Sequence, residues 1–208
     1  MKFHYTNLET CHEATGVVVV IDVLRAFSNT AYAFSRGAKE IYPVSGVEEA
    51  LKFKAETPNS LAAGEVGGLP PEGFDFGNSP TQTKELDLSG RVIVQSTGAG
   101  TKGIVRSVNA ETMLAASLVV ANATVQFIRK IKPESVTFVI TGQYRFGHGD
   151  EDVACAEYLE LLFNGQKPDP SPFIERVFKS RDAIQHLDPK KTGFPYSDLE
   201  LCTRIDAF

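Results

Sequence analysis

Carboxylates and glycine-rich turns recur in this chain where short apolar runs end. Ile21-Asp22-Val23-Leu24-Arg25-Ala26 places a carboxylate and a guanidinium just after Val17–Ile21. Asp22 is a hard oxygen donor suited to a divalent cation. Arg25 can grip a phosphate, sulfonate or carboxylate through two parallel hydrogen bonds. The same six residues would serve equally well as an ion pair closing a strand. Gly64-Glu65-Val66-Gly67-Gly68 and Gly73-Phe74-Asp75-Phe76-Gly77-Asn78-Ser79-Pro80 add two more carboxylates. Mg²⁺ takes one or two carboxylates, keeps waters and bridges to phosphate. Asp22, Glu65 and Asp75 are therefore the candidate metal ligands. Asn78 and Ser79 could donate to phosphate oxygens. Asp, Asn, Ser, Gly and Pro are also ordinary turn formers, which is the plainer reading of this stretch by itself.

Thr97-Gly98-Ala99-Gly100-Thr101-Lys102-Gly103 contains G-x-G-x-x-G after a predicted strand. Free amides and the positive end of a helix dipole favour phosphate there. Thr97, Gly98, Gly100 and Thr101 are the candidate anion cradle. A dinucleotide site would also need an acidic residue ending the next strand. Val120-Ala121-Asn122 offers none. Asp150-Glu151-Asp152 opens a predicted helix. Asp150 suits the helix dipole, and Glu151 or Asp152 could ligate metal or activate water. Arg145 and His148, in the preceding loop, could meet an anion. The chain lacks a serine-hydrolase elbow, H-E-x-x-H and a Cys/His cluster. Leu24 stands where the aspartyl-phosphate phosphatases carry a second Asp, two residues after the first.

Those residues need elements to carry them. Val17–Ile21 reads as a strand buried on both faces. A helix follows over 26–36, with Gly37 at its end. Glu40–Val44 is the next strand, and Ser45-Gly46-Val47-Glu48 a capping box. Short strands follow at 61–63 and 91–95, separated by a long loop over 64–80. Helix is expected near 102–107 and strand over 113–120. Asn122 is expected to cap a helix over 123–131. Strand 136–140, loop 142–149 and helix 150–163 come next. Helices over 173–186 and 198–204 close the chain. Alternating strands and helices predict an α/β fold, three-layer α/β/α with a largely parallel sheet. Ligands bind such sheets beyond the carboxyl ends of the strands. That rule gathers Asp22, Glu65, Thr97 and Thr141-Gly142 at one edge.

The 208 residues suit one domain spanning 1–208. Hydrophobic residues are 42% and charged residues 23%, an ordinary globular balance. The net charge of -5 argues against a nucleic-acid partner. No apolar run is long enough to span a membrane, and three cysteines without C-x-x-C spacing suit reduced thiols. A cytoplasmic protein is the expectation.

The ordered series of these motifs, with Asn122 and Asp198-x-x-x-Cys202-x-x-x-Asp206, resembles the 2-phosphosulfolactate phosphatase family over nearly the whole chain. The resemblance implies a three-layer α/β/α fold and Mg²⁺-dependent hydrolysis of 2-phosphosulfolactate to sulfolactate and phosphate, a step toward coenzyme M. It implies a small anionic phosphoester as partner, with room for a homodimer. Asp22, Arg25, Glu151 and Asp152 would be catalytic. Arg25, Asn78, Ser79, Thr97, Gly98, Gly100, Thr101 and Arg145 would bind substrate. One departure stands out: the family turn reads Thr-Asn-Gly-Thr, and here it is Gly98-Ala99-Gly100-Thr101. The rival readings are a non-catalytic phosphoester-binding protein and a nucleotide-using protein built on residues 98–103.

Overall fold

A computed structural model describes residues 1–142 and 149–208. In chain order its elements are β1 (Lys2–Asn7), β2 (Gly16–Ile21), α1 (Ala26–Ser35), β3 (Glu40–Val44), α2 (Val47–Glu56) and β4 (Ser60–Gly64). Then come α3 (Pro80–Thr83), β5 (Val92–Ser96), α4 (Gly100–Arg106), β6 (Ala110–Ala116), α5 (Ala121–Ile131) and β7 (Ser135–Ile140). The last elements are α6 (Asp150–Phe163), α7 (Ser171–Lys179), α8 (Ile184–Leu187) and α9 (Tyr196–Cys202).

The expected single sheet is two. Strands β1-β7-β2-β6 form one and β3-β5-β4 the other, and every pairing is parallel. Side-chain alternation explains the layering. From β2, Val17, Val19 and Ile21 join a cluster with Val125 and Ile128 of α5 and Leu159 of α6. Val18 and Val20 join another with Ala26 and Phe27 of α1. The four-stranded sheet is thus covered on both faces, an α/β/α arrangement. Helix α1 continues outward, and its Ala33 packs with Ala63 and Ile93 of the second sheet. The other face of that sheet meets Ala50 of α2 through Ala62 and Val94. Sequence period reveals that a strand is buried on both faces, but not which strands pair.

Some elements differ from expectation. β1 was not expected, because its residues read as polar. It is an edge strand whose Phe3 stacks on Phe138 with ring centroids 5.8 Å apart. β6 starts earlier than expected, and Leu118–Val120 forms a 3-10 turn. The capping partner of Ser45 is Glu49, not Glu48, since Gly46 is the N-cap of α2. Asn122 lies inside α5 and bonds Asp206. The expected helix over 173–186 breaks after Lys179 and resumes at Ile184.

Candidate active site

Asp22 follows the last residue of β2 and is buried. Its Oδ1 accepts from the Ala26 amide at 2.9 Å. Burial pushes its pKa up to about 6, and the negative charges of Glu65 and Asp182 push the same way. The amides of Ala26 and Gly100 pull it back. Gly100 has to be glycine here: a Cβ would lie 2.6 Å from Asp22 Oδ2 and 2.8 Å from Ala26 Cβ.

Glu65 leaves the end of β4 and clamps two loops. One oxygen accepts from the Gly98 amide and the other from the Gly68 amide, both at 2.6 Å. The strand end beneath it is tight. Gly64 has φ +134, and a Cβ there would sit 1.8 Å from the Ser96 carbonyl oxygen. The glycine-rich turn therefore points its amides at carboxylates of the protein itself. Gly98 donates to Glu65, and Gly100 faces Asp22. Thr97 and Thr101 close the turn on each other, each amide donating to the other's hydroxyl at 2.9 and 3.0 Å. The anion cradle expected over 97–101 is thus engaged internally.

Arg25 is buried against Asp198. Its Nη1 donates to Asp198 at 2.7 Å and to the Gly193 carbonyl at 2.9 Å, and its Nη2 donates to the Gly68 carbonyl at 3.0 Å. Its guanidinium lies 4.8 Å from the centre of the Phe194 ring. The remaining oxygen of Asp198 accepts from the Ser79 hydroxyl and the Thr81 amide. Arg25 and Ser79, expected on substrate, thus hold the loop before α3 to α9. Asp75 is not brought to the cleft. It accepts from Lys54 and from the Ala62 amide beside α2.

Asp152 accepts from the Val23 amide at 2.8 Å, the Thr141 hydroxyl at 3.1 Å and the Gly142 amide at 3.2 Å. Burial first, then Asp22, raises its pKa well above the usual carboxylate range. Glu151 is 3% exposed, and its Oε2 has no hydrogen-bond partner. Burial, Asp152 and Asp182 push its pKa up to about 10, so it carries a proton at neutral pH. Asp150, the third acid of this run, pairs with Arg176 at 2.6 Å. Arg145 and His148 lie outside the described residues.

Around these groups runs a cleft of about 540 Å³, lined by Asp22, Glu65, Asp182, Asn78, Gln185 and His186. A hollow of about 310 Å³ that shares Asp22 and Asp182 with it reaches Glu151, Asp152 and Gly142. Asn78 is buried and its Oδ1 lacks a partner. His186 Nδ1 donates to the Pro195 carbonyl at 2.9 Å, and burial lowers its pKa, keeping the ring neutral. Sequence reading missed Asp182 and His186, because both fall in a segment expected to be continuous helix. Proline at 195 and glycine at 193 were the only local hints of a returning loop.

A divalent cation can be tested against this donor set. Asp22 and Glu65 repel each other, and Asp182 adds to the repulsion. Arg25, the guanidinium that the described residues place on the cleft wall, is already paired to Asp198. Among the described residues no group of three or more His, Cys, Asp or Glu side chains forms a cage. Two carboxylates completed by waters and a phosphate oxygen are what Mg²⁺ ordinarily takes, so the residues fit such an ion.

Fold and cleft together define the class: a parallel α/β protein with an acidic cleft beyond the carboxyl ends of its strands. The sequence matches the 2-phosphosulpholactate phosphatase family over residues 3–208. It is 31% identical over 187 residues to a probable 2-phosphosulfolactate phosphatase of Bacillus subtilis, covering 89% of this chain and 81% of that one. It is 32% identical to one of Caldicellulosiruptor saccharolyticus (98% and 90% covered) and 36% identical to one of Thermotoga petrophila (91% and 85%). The chain belongs to this family, whose named reaction is that of a phosphoric monoester hydrolase.

Proposed function

We propose that this protein hydrolyses a small phosphate monoester with Mg²⁺ as cofactor, and that the ester is 2-phosphosulfolactate or a close analogue. The observation that carries the reading is the pair of strand-end carboxylates, Asp22 and Glu65, that line one cleft and repel each other. A phosphate dianion entering beside them would meet the same repulsion unless a cation lay between. Family membership supports the reaction, and the names of the relatives support the substrate.

Asp22 and Glu65 would hold the ion, which when bound neutralises phosphate oxygens during displacement. The protein's own residues do the rest. The amides of Ala26 and Gly100 fix the Asp22 carboxylate, and those of Gly68 and Gly98 fix Glu65. The Arg25–Asp198 pair braces the wall that carries Asn78. Asn78 and Gln185, also on the cleft wall, would offer neutral amides to the second acidic group of the substrate.

Purified protein should release phosphate from 2-phosphosulfolactate in the presence of Mg²⁺ and stop on chelation with EDTA. Related phosphoesters with and without a second acidic group should rank by the presence of that group. Phosphate release that is indifferent to EDTA would refute the metal-dependent reading.

A further inference from the structure

A second hollow, of about 380 Å³, lies apart from the cleft and shares no lining residue with it. It is framed by α5, by the chain between α6 and α7, and by the tail after α9. Its volume falls in the range of small-molecule sites. Asn122 and Asp206, two motif residues that the proposed reaction does not use, stand on its wall. One oxygen of Asp206 accepts from the Asn122 amide at 2.6 Å, and the other from the Asn122 side chain at 3.2 Å. The tail is pinned further along, where the amides of Asp206 and Phe208 donate to the carbonyls of Leu118 and Val119, each at 3.1 Å. From α5, Arg129 Nη2 donates to the carbonyls of Leu162 and Phe163 at 2.6 and 3.2 Å, which satisfies the end of α6. The wall is therefore built by the fold and needs no occupant to form.

Donors are left over on that wall. Nε and Nη1 of Arg129 make no hydrogen bond among the described residues, and the Lys167 side chain makes neither hydrogen bond nor ion pair there. Tyr158 is 6% exposed, with its ring edge-on to Phe173 at 5.2 Å. Its hydroxyl has no hydrogen-bond partner among the described residues either. A hydroxyl so enclosed costs free energy until water or a ligand meets it. Asp206, the carboxylate among the lining residues, has both oxygens engaged by Asn122. Val125 and Leu162 add apolar surface. A guanidinium, an ammonium and a hydroxyl without partners, beside apolar side chains, suit an acceptor-rich anion on an apolar body. We propose that this hollow is a binding site for a small organic acid, a carboxylate or sulfonate carried on a compact apolar group. The anion lies on Arg129 and Lys167, and the body against Val125 and Leu162. An inorganic anion lacks the body, and a neutral analogue lacks the charge.

The test is a titration of the full, isotope-labelled chain with benzoate at low salt, followed through backbone amide shifts by NMR. The amides of Asn122, Gly165, Lys167 and Asp206 should move together and saturate, with half-saturation at ~1–10 mM. Arg129→Gln should raise that concentration by about tenfold, the scale of a lost hydrogen bond to a charged group. Lys167→Gln and Tyr158→Phe should each raise it by about threefold. These two variants break no hydrogen bond seen among the described residues, so they decide the matter if Arg129→Gln does not fold. Benzyl alcohol that binds as tightly as benzoate would reduce the hollow to an apolar dent and overturn the proposal. Inorganic sulfate that binds as tightly would overturn it too, because the apolar body would then count for nothing. Shifts confined to the surroundings of Asp22 and Glu65 would put the anion in the cleft, and a response still linear at ~50 mM would mean no site at all. Either result overturns the proposal. None of these readouts needs turnover, so the hollow stands or falls separately from the phosphatase reading.

Discussion

Asp22 is held in a state it would not choose by itself. Burial and its acidic neighbours favour the neutral form, while the amides of Ala26 and Gly100 favour the charged one. Asp22→Asn removes the repulsion together with the ligand. Its turnover should fall by ~10²-fold or more, the scale at which one electrostatic contact to the reacting group matters. Its melting temperature without metal should not fall. A thermal melt alongside a phosphate assay reads both, and a variant that loses stability and activity together would count against the electrostatic account. Asp75→Asn provides the contrast. Asp75 faces Lys54 beside α2, so its loss should leave the Mg²⁺ concentration for half-maximal rate unchanged. The two carboxylates look alike in sequence, and only their neighbours separate them.

At the scale of elements, the buried Arg25–Asp198 pair joins the start of α1 to α9, and through Ser79 to the loop before α3. Breaking such a pair from one side leaves a buried charge alone and costs ~3–5 kcal/mol. Arg25→Met should therefore shift the urea midpoint strongly downward, and Arg25→Met with Asp198→Leu should recover part of it. Gly100→Ala is a steric test at the head of α4. Its methyl would press on Asp22 Oδ2 and Ala26. Activity should drop in this variant, and Mg²⁺ should stabilise it less than the parent in thermal melts. Both effects arise from elements that meet only after folding, since Arg25 and Asp198 are 173 residues apart in the chain.

For the whole molecule, the acid cluster links stability to pH. Folding holds protons on Asp22, Glu151 and Asp152 that the unfolded chain releases near pH 4. The folded state then binds more protons than the unfolded one, so this contribution is full below that range. It is lost as pH rises through the raised values, about 6 for Asp22 and about 10 for Glu151. Metal-free protein should melt lower at about pH 8.5 than at about pH 5.5, where each kcal/mol moves the midpoint by ~2–4 °C. Mg²⁺ should raise the midpoint more at the higher pH, because a cation can replace the missing protons. Glu151→Gln should flatten the slope. A metal-free midpoint that climbs with pH would sink the cluster as described.

Sequence alone determined the alternation of strands and helices, because the periods of two and 3.6 are local properties of the backbone. It also placed Asp22 and Glu65 at strand ends, where parallel sheets put their ligands. It did not determine the division into two sheets, nor that the glycine-rich turn would meet Glu65 and Asp22. Nor could it show that Arg25 and Ser79, read as substrate contacts, would meet Asp198 from the far end of the chain. Asp182 and His186 read as helix until the break after Lys179 turned them toward the cleft. These outcomes depend on which distant groups share one low-dielectric space. Hydrogen bonding and charge compensation there are set by the tertiary arrangement, which no local pattern encodes.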